Sequence, residues 1–345
     1  MKIQKITILL FSFIFLFVSC DNNDDNKPLP EKPVVEDMSG FAKGADVSWL
    51  TEMESAGILF YNAEGNKTEC MSLLKSLGMN SIRLRVWVNP TDGWCNKTDM
   101  LIKAKRANDL GMRILVDFHY SDSWADPSKQ SKPASWENLS FDDLCLAVKD
   151  HTTEVLTALN NWGISPEWVQ VGNETGNGML WSDGKADENM AQYASLTNYG
   201  YDAVKAVFPE AKVVVHLQEG NKNSKFRWLF DGLKNNGGKW DVIGMSLYPE
   251  SDTWQNMNDD LISNINDMVS RYACEIMICE TGMNWDGEDA AYNFLSDLIT
   301  RTKAIDSCLG VFYWEPQCYN GWKEYQKGAF DEAGYPTKAM DAFSR

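Results

Sequence analysis

The sequence predicts an α/β protein built as a single (β/α)8 barrel, and three observations lead there. Between Gly40 and Arg345, short apolar stretches alternate with amphipathic helical ones, the rhythm of βα units and a parallel sheet. The short stretches number eight, enough to close a barrel, and the length from residue 40 to 345 suits one such domain. Five of the eight end in polar or aromatic groups, which parallel strands would gather on one face.

The candidate strands are Phe41 to Val47, Ser81 to Val88, Arg113 to Tyr120, Trp168 to Asn173, Lys212 to Gln218, Val242 to Tyr248, Glu275 to Glu280 and Gly310 to Trp314. Helical stretches between them include Glu69 to Leu77, Asp99 to Leu110, Phe141 to Asn161, Asn189 to Val207, Asp259 to Tyr272 and Ala290 to Lys303. The informative strand ends are Trp87-Val88-Asn89, Asp117-Phe118-His119-Tyr120, Gly172-Asn173-Glu174, Ser246-Leu247-Tyr248 and Cys279-Glu280. Alternation along Ile82-Arg83-Leu84-Arg85-Val86-Trp87 turns Arg83, Arg85 and Trp87 toward the barrel axis. Buried arginines need acidic partners, and acids at neighbouring strand ends can supply them.

Ahead of the barrel, Met1 to Lys5 carries two lysines and Ile6 to Val18 is an apolar run, which together read as a signal peptide over residues 1–19. The run is too short for a spanning helix. Phe17-Val18-Ser19-Cys20 resembles a bacterial lipobox, in which Cys20 becomes the lipidated first residue; the alternative is a cleaved signal with an incidental cysteine. The acidic run Asp21 to Asn26 resembles the signal that sends lipoproteins to the outer face of a Gram-negative outer membrane. With the three prolines of Lys27 to Asp37, residues 20–39 hold too little apolar surface to fold alone and read as a tether.

A formal charge of −17 without a basic cluster argues against nucleic acid as a partner. Fourteen tryptophans, many beside Asp, Asn or Gly, suit a surface that stacks sugar rings, although some belong to the core. Beyond Cys20 seven of the eight cysteines remain, without CxxC or Cys/His spacing, so a structural zinc site is unsupported. Cys274 and Cys308 could pair, each lying just ahead of one of two consecutive strands; buried free thiols are the open alternative.

Glycoside hydrolysis needs two carboxyl groups facing each other across the scissile bond. Glu174 and Glu280 end the fourth and seventh predicted strands, roughly opposite one another across the barrel mouth. A single strand-end glutamate is more often the partner of an inward arginine; two in this arrangement favour chemistry.

Phe41 to Ser48, Ile82 to Pro90, Asp117 to Asp122, Gly172-Asn173-Glu174 and Tyr313-Trp314-Glu315-Pro316 resemble the arabinogalactan endo-β-1,4-galactanases, family 53 of the glycoside hydrolases. The likeness covers nearly all of residues 40–345, with Arg85 to Pro90 and Asp117 to Pro127 its most specific strings. The resemblance implies a retaining double displacement on β-1,4-galactan, with Glu280 as nucleophile, Glu174 as acid/base, and no cofactor. It further implies that Asn173 bonds the sugar 2-hydroxyl, Tyr248 donates to the nucleophile, Arg83 lies under Glu280, and Trp314 floors the attacked sugar through a cis peptide to Glu315. Asp46, Trp87, His119, Trp124 and His216 fall to substrate contacts or to the shell behind them, and an interior role for His216 is equally open. Glu174 must arrive protonated; the charge of Glu280 at ~5 Å is the expected main cause of a raised pKa, with partial burial adding.

Two features depart from the family. The loop Thr281 to Asp286 is short and lacks the run of Asp, His and Asn that some relatives use to bind calcium, so no metal is expected, and the chain is expected to act as a monomer. Gln218-Glu219 and Gln317-Cys318-Tyr319 are variants that bear on distal sugar positions. A barrel hydrolase of mannan or glucan, and a surface lipoprotein that binds glycan without cleaving it, remain the competing readings.

Overall fold

The computed structural model describes residues 38–284 and 288–344. The signal segment, Cys20 and the acidic run lie outside the described residues, as do Trp285 and Asp286 of the loop after Glu280.

Eight parallel strands close into a barrel: β1 (Ala42–Asp46), β2 (Ser81–Val86), β3 (Arg113–Phe118), β4 (Trp168–Val171), β5 (Lys212–Leu217), β6 (Val242–Leu247), β7 (Glu275–Thr281) and β8 (Cys308–Trp314). Each strand pairs with its neighbours in sequence, and β1 closes the ring against β8 with Asp46 opposite Trp314. The helices are α1 (Leu50–Ser55), α2 (Cys70–Ser76), α3 (Lys97–Asp109), α4 (Phe141–Asn161), α5 (Ala186–Val207), α6 (Asn223–Asn235), α7 (Trp254–Tyr272) and α8 (Glu288–Lys303). Side-chain caps set several starts: Asn96 accepts from the Asp99 N–H and Ser140 from the Asp143 N–H, each satisfying a donor the first turn leaves free.

Helices α1 and α6 were not anticipated from the sequence. The spacing of Phe226, Leu229, Phe230 and Leu233, all buried, is helical. Gly232 inside that run and the Asn/Gly-rich segments on both sides masked it.

Alternation along the strands sorts side chains into two apolar bodies. Ile82, Leu84, Val116, Val169, Val215 and Ile278 face the helices. Ala42, Leu115, Trp168, Val214, Val242, Met277, Cys279 and Phe312 fill the barrel itself and plug the end where the strands begin. Phe312 needs the space above Gly44, where a Cβ would sit 2.2 Å from its ring, so glycine is required there. One step further toward the strand ends, the inward positions change character to Asp46, Arg83, Arg85, Asp117, Gln170, His216 and Ser246, all buried. The strands thus lift a polar layer off an apolar plug and present it to the barrel mouth.

The seven cysteines beyond Cys20 are free thiols, so Cys274 and Cys308 do not pair. The register sets Cys308 opposite Ile276, two residues along the chain from Cys274.

Candidate active site

The chain leaves β4 through Gly172 at φ 82° and reaches Glu174 at φ 45°, a left-handed conformation that is uncommon for a residue with a Cβ. Glu280 reaches the mouth differently. Ile276 and Ile278 point to the helices while Met277 and Cys279 point inward, so strict alternation would send Glu280 outward. A register shift against β6 between Ile278 and Glu280 breaks the alternation, and the bulge turns Glu280 to the inside.

There Glu280 is buried, 6 % exposed, and contacts two groups that favour its charged form. The Arg83 guanidinium lies 2.9 Å from its Oε1, and the Tyr248 hydroxyl donates to its Oε2 at 2.9 Å. Burial, with the nearby Glu280 charge, pushes Tyr248 well above the usual phenol range, so it remains a donor. Arg83 also binds Asp46 at 2.7 Å and Asp117 at 2.9 Å and donates to Gln170 and to Asn173 Oδ1. Burial opposes ionisation of Asp117, yet Arg83 and His119 hold its carboxyl below the ordinary range.

Glu174 is only partly buried, and among the described residues its one hydrogen-bonded side-chain partner is Ser246, whose hydroxyl donates to Oε1 at 2.8 Å. Ser246 is in turn fixed by His216 Nε2 at 2.7 Å. Two donors approach His216 Nδ1, Gln170 Nε2 at 3.0 Å and the backbone N–H of Glu174, against one acceptor, Asn173 Oδ1 at 3.1 Å; with two donors on Nδ1 the imidazole proton is assigned to Nε2, toward Ser246. Burial keeps His216 neutral, well below the usual imidazole value, so it acts as an oriented dipole. The same reasoning fixes His119: Ala125 N donates to Nδ1, leaving Nε2–H to bond Asp117.

Burial is the largest cause acting on both glutamates and raises each above the ordinary carboxylate range. For Glu174, burial comes first and the acids that add to it are Asp126 and Asp117; the charge of Glu280, expected from the sequence to lead, is not among the main causes. Between the two, the negative charge belongs on Glu280, which touches a guanidinium and a phenol, whereas Glu174 has a single serine donor.

Glu174, Glu280, Asn173, His119, Trp124, Tyr248 and Trp314 line one cavity of about 520 Å³, with Trp49 and Tyr325 completing its aromatic side. A second cavity of about 790 Å³ shares Glu174 and Tyr248 and continues past Ser246 to Gln218, Asn221 and Asn256. Asp46, Arg83, Trp87 and His216 line neither cavity: Asp46 and Arg83 lie beneath as an ion pair, Trp87 stands behind Trp124 with ring centroids 5.2 Å apart, and His216 is fully enclosed. Asn173 is clamped, its Nδ2 donating to Ala125 O at 2.8 Å.

The peptide from Trp314 to Glu315 is not cis; among the described residues that geometry occurs only at Trp181–Ser182. The chain instead turns at Glu315, at φ 48°, where the backbone N–H donates to Asp46 O at 2.9 Å. Among the described residues no group of three or more His, Cys, Asp and Glu side chains could hold a metal ion.

Sequence reasoning missed Trp49, Ser246, Gln170, Glu315 and Tyr325 as parts of the site. Ser246 was visible as a strand-end polar residue, and Trp49 as the residue just beyond β1. Tyr325 sits in the long segment after β8 and carried no local signal.

A parallel barrel whose mouth gathers two glutamate carboxyls in one cavity, one charge-paired and one not, beside an aromatic wall has the form of a glycoside hydrolase. The model of glycosyl hydrolase family 53 matches residues 42–294, and the chain belongs to that family. It is 31 % identical over 330 residues to an arabinogalactan endo-β-1,4-galactanase of Thermothelomyces thermophilus, covering 88 % of this chain and 98 % of that one. It is likewise 31 % identical over 309 residues to an endo-β-1,4-galactanase of Bacillus subtilis, covering 80 % and 70 % respectively. Among solved structures, a fungal β-1,4-galactanase superposes with a TM-score of 0.82 at 29 % identity, covering 89 % of this chain and 100 % of that one.

Proposed function

We propose that this protein is a retaining endo-hydrolase of β-1,4-galactan, the polymer of pectic side chains and type I arabinogalactan. The observation that carries the mechanism is the inequality of the two carboxyls: among the described residues Glu280 bonds Arg83 and Tyr248, and Glu174 bonds Ser246 alone. In the first step a Glu280 oxygen forms a bond to the anomeric carbon as the glycosidic C–O bond breaks, and the leaving oxygen takes the proton of Glu174. In the second, Glu174 removes a proton from water, the water oxygen bonds to the anomeric carbon, and the bond to Glu280 breaks. Tyr248 and Arg83 hold the nucleophile, Asn173 directs its remaining amide hydrogen to the sugar 2-hydroxyl, and Trp314 with Trp124 supplies stacking surface. His119 supports Asn173 and Trp124 from behind, since Ala125 bonds both His119 and Asn173. No cofactor or metal enters.

Cleavage inside the polymer is supported by two cavities that meet at Glu174 and Tyr248, an aromatic one that holds both carboxyls and a polar one beyond them. The galactan reading is supported by the family and by the names its relatives carry. The chain acts as a monomer on the cell surface, held by a lipid on Cys20 and the tether that follows.

Linear β-1,4-galactan, mannan and carboxymethylcellulose, assayed for new reducing ends, separate this reading from its rivals. Galactan alone should be cleaved, early products should be mixed oligosaccharides, and proton NMR should show the β-anomer first. Cleavage of another polymer would replace the substrate, an α-anomer would exclude the double displacement, and no cleavage would leave a glycan-binding protein.

A further inference from the structure

Arg85 takes no part in the chemistry just described, yet it is among the most completely buried side chains in the protein. A buried guanidinium is expected to use all five N–H groups. Here one ion pair is made, from Nη1 to Glu315 at 3.1 Å, while Nε and Nη2 find no hydrogen-bond acceptor among the described residues. What surrounds it instead is indole. The guanidinium carbon lies 4.2 Å from the ring centroid of Trp124, 5.2 Å from Trp87 and 5.3 Å from Trp49. Such contacts are strongest where water is excluded, and a planar guanidinium both stacks and attracts the ring face. Glu315 closes the arrangement from the other side: it accepts from the Trp49 backbone N–H at 3.1 Å and from Gln317 at 2.6 Å, and it directly follows Trp314 in the chain.

We propose that Arg85, charge-paired with Glu315, is a positioning residue that holds Trp124 and Trp49 as a preformed stacking wall beside Trp314, and so determines how tightly the glycan is held on that side of the cut. Trp124 and Trp49 each reach Trp314, at 5.9 and 5.0 Å between centroids, so one guanidinium sets the pose of the whole wall. Without it the rings would have to be ordered by the sugar, and that ordering would weaken binding. The effect therefore belongs in KM and not in kcat, since the wall does not touch Glu174 or Glu280 through Arg85.

This inference rests on the proposed hydrolase function, so the wild-type enzyme is first scored on the three polymers and the variants are measured on whichever it cleaves. A wrong polymer then overturns the substrate without touching the wall. Arg85→Lys retains charge without a stacking plane, and Glu315→Gln retains shape without charge. Both should raise KM about tenfold and leave kcat within about twofold. Trp124→Phe should do the same, and the Arg85→Lys/Trp124→Phe double variant should fall well short of additive, because Trp124 is the ring nearest the guanidinium, at 4.2 Å, and passes its hold on to the rest of the wall. Should Arg85→Lys fail to fold, the same cycle with Glu315→Gln decides. A fall in kcat at unchanged KM, an unchanged KM in folded variants, or additive effects in the cycle would each overturn the proposal.

Discussion

Replacing Ser246 with alanine removes the one side-chain donor that the described residues offer Glu174 and tests the acid/base assignment by its sign. The hydroxyl lies 2.8 Å from Glu174 Oε1 and opposes the upward push of burial by favouring the ionised carboxylate. A hydrogen bond to a charged group is worth about 1.5–3 kcal/mol. At 1.36 kcal/mol per pKa unit that is about one to two units. The lower figure applies here, because Glu174 is only partly buried and water can replace part of the lost bond. Glu174 must be protonated for the first step, so raising its pKa keeps the enzyme active to higher pH. The alkaline limb of kcat/KM on a soluble galacto-oligosaccharide should move up by about one unit in Ser246→Ala. The limiting rate should fall as well, since the proton is then harder to give up. An alkaline limb that stays in place or moves to lower pH would refute the reasoning, whatever happened to the rate.

Glu174→Gln, which keeps shape and removes the proton, should lower kcat on galactan by about 10²–10⁴-fold, the usual worth of a general acid, while the anomeric outcome stays unchanged; retained activity within tenfold would reassign the role. Arg83→Met leaves Asp46, Asp117 and Glu280 without their shared cation, and breaking such a buried arrangement costs about 3–5 kcal/mol. In that variant the orphaned carboxyls have folded-state pKa values above their unfolded ones, so the loss should be largest at neutral pH and shrink in acid; urea unfolding at two pH values reads both.

The barrel was legible because its signal is repeated: eight apolar stretches at regular spacing report one architecture, and each strand was placed to within a few residues. That Glu174 and Glu280 share one cavity was legible for a related reason, since parallel strands gather their ends on one face whatever the loops do. The inward turn of Arg83 and Arg85 followed from the period of two. Glu280 shows the limit of that rule. Its parity matches Ile276 and Ile278, and only a bulge, which depends on how β6 and β7 fit side by side, brings it inside. The turn at Glu315 was misread for a similar reason, because a backbone N–H finding Asp46 O on β1 is a contact across the ring closure that local sequence does not contain. Tyr325 and Trp49 joined the site through loop packing, and no periodicity governs loops.

The bulge also bears on how reactive Glu280 is. Left on the outer face it would be a carboxylate among isoleucines with no cation, a placement no apolar layer tolerates. Turned inward it finds Arg83, but Arg83 is already shared, with Asp46 on Nη1 and Asp117 on the same Nη2 that reaches Glu280. A carboxylate with a guanidinium to itself is strongly stabilised and a poor nucleophile; one that competes for it stays ionised while keeping more of its basicity. Asp117 is thus predicted to restrain the pairing of Glu280, and its charge raises the Glu280 pKa. Asp117→Asn keeps an oxygen for His119 and removes that charge, so Arg83 turns more fully to Glu280 and the Glu280 pKa falls. The acid limb of kcat/KM should then move to lower pH by on the order of one unit, while the plateau rate falls because the nucleophile is less basic. An acid limb that moves up, or a plateau that rises, would show that Asp117 supports the nucleophile directly instead of competing with it for the cation.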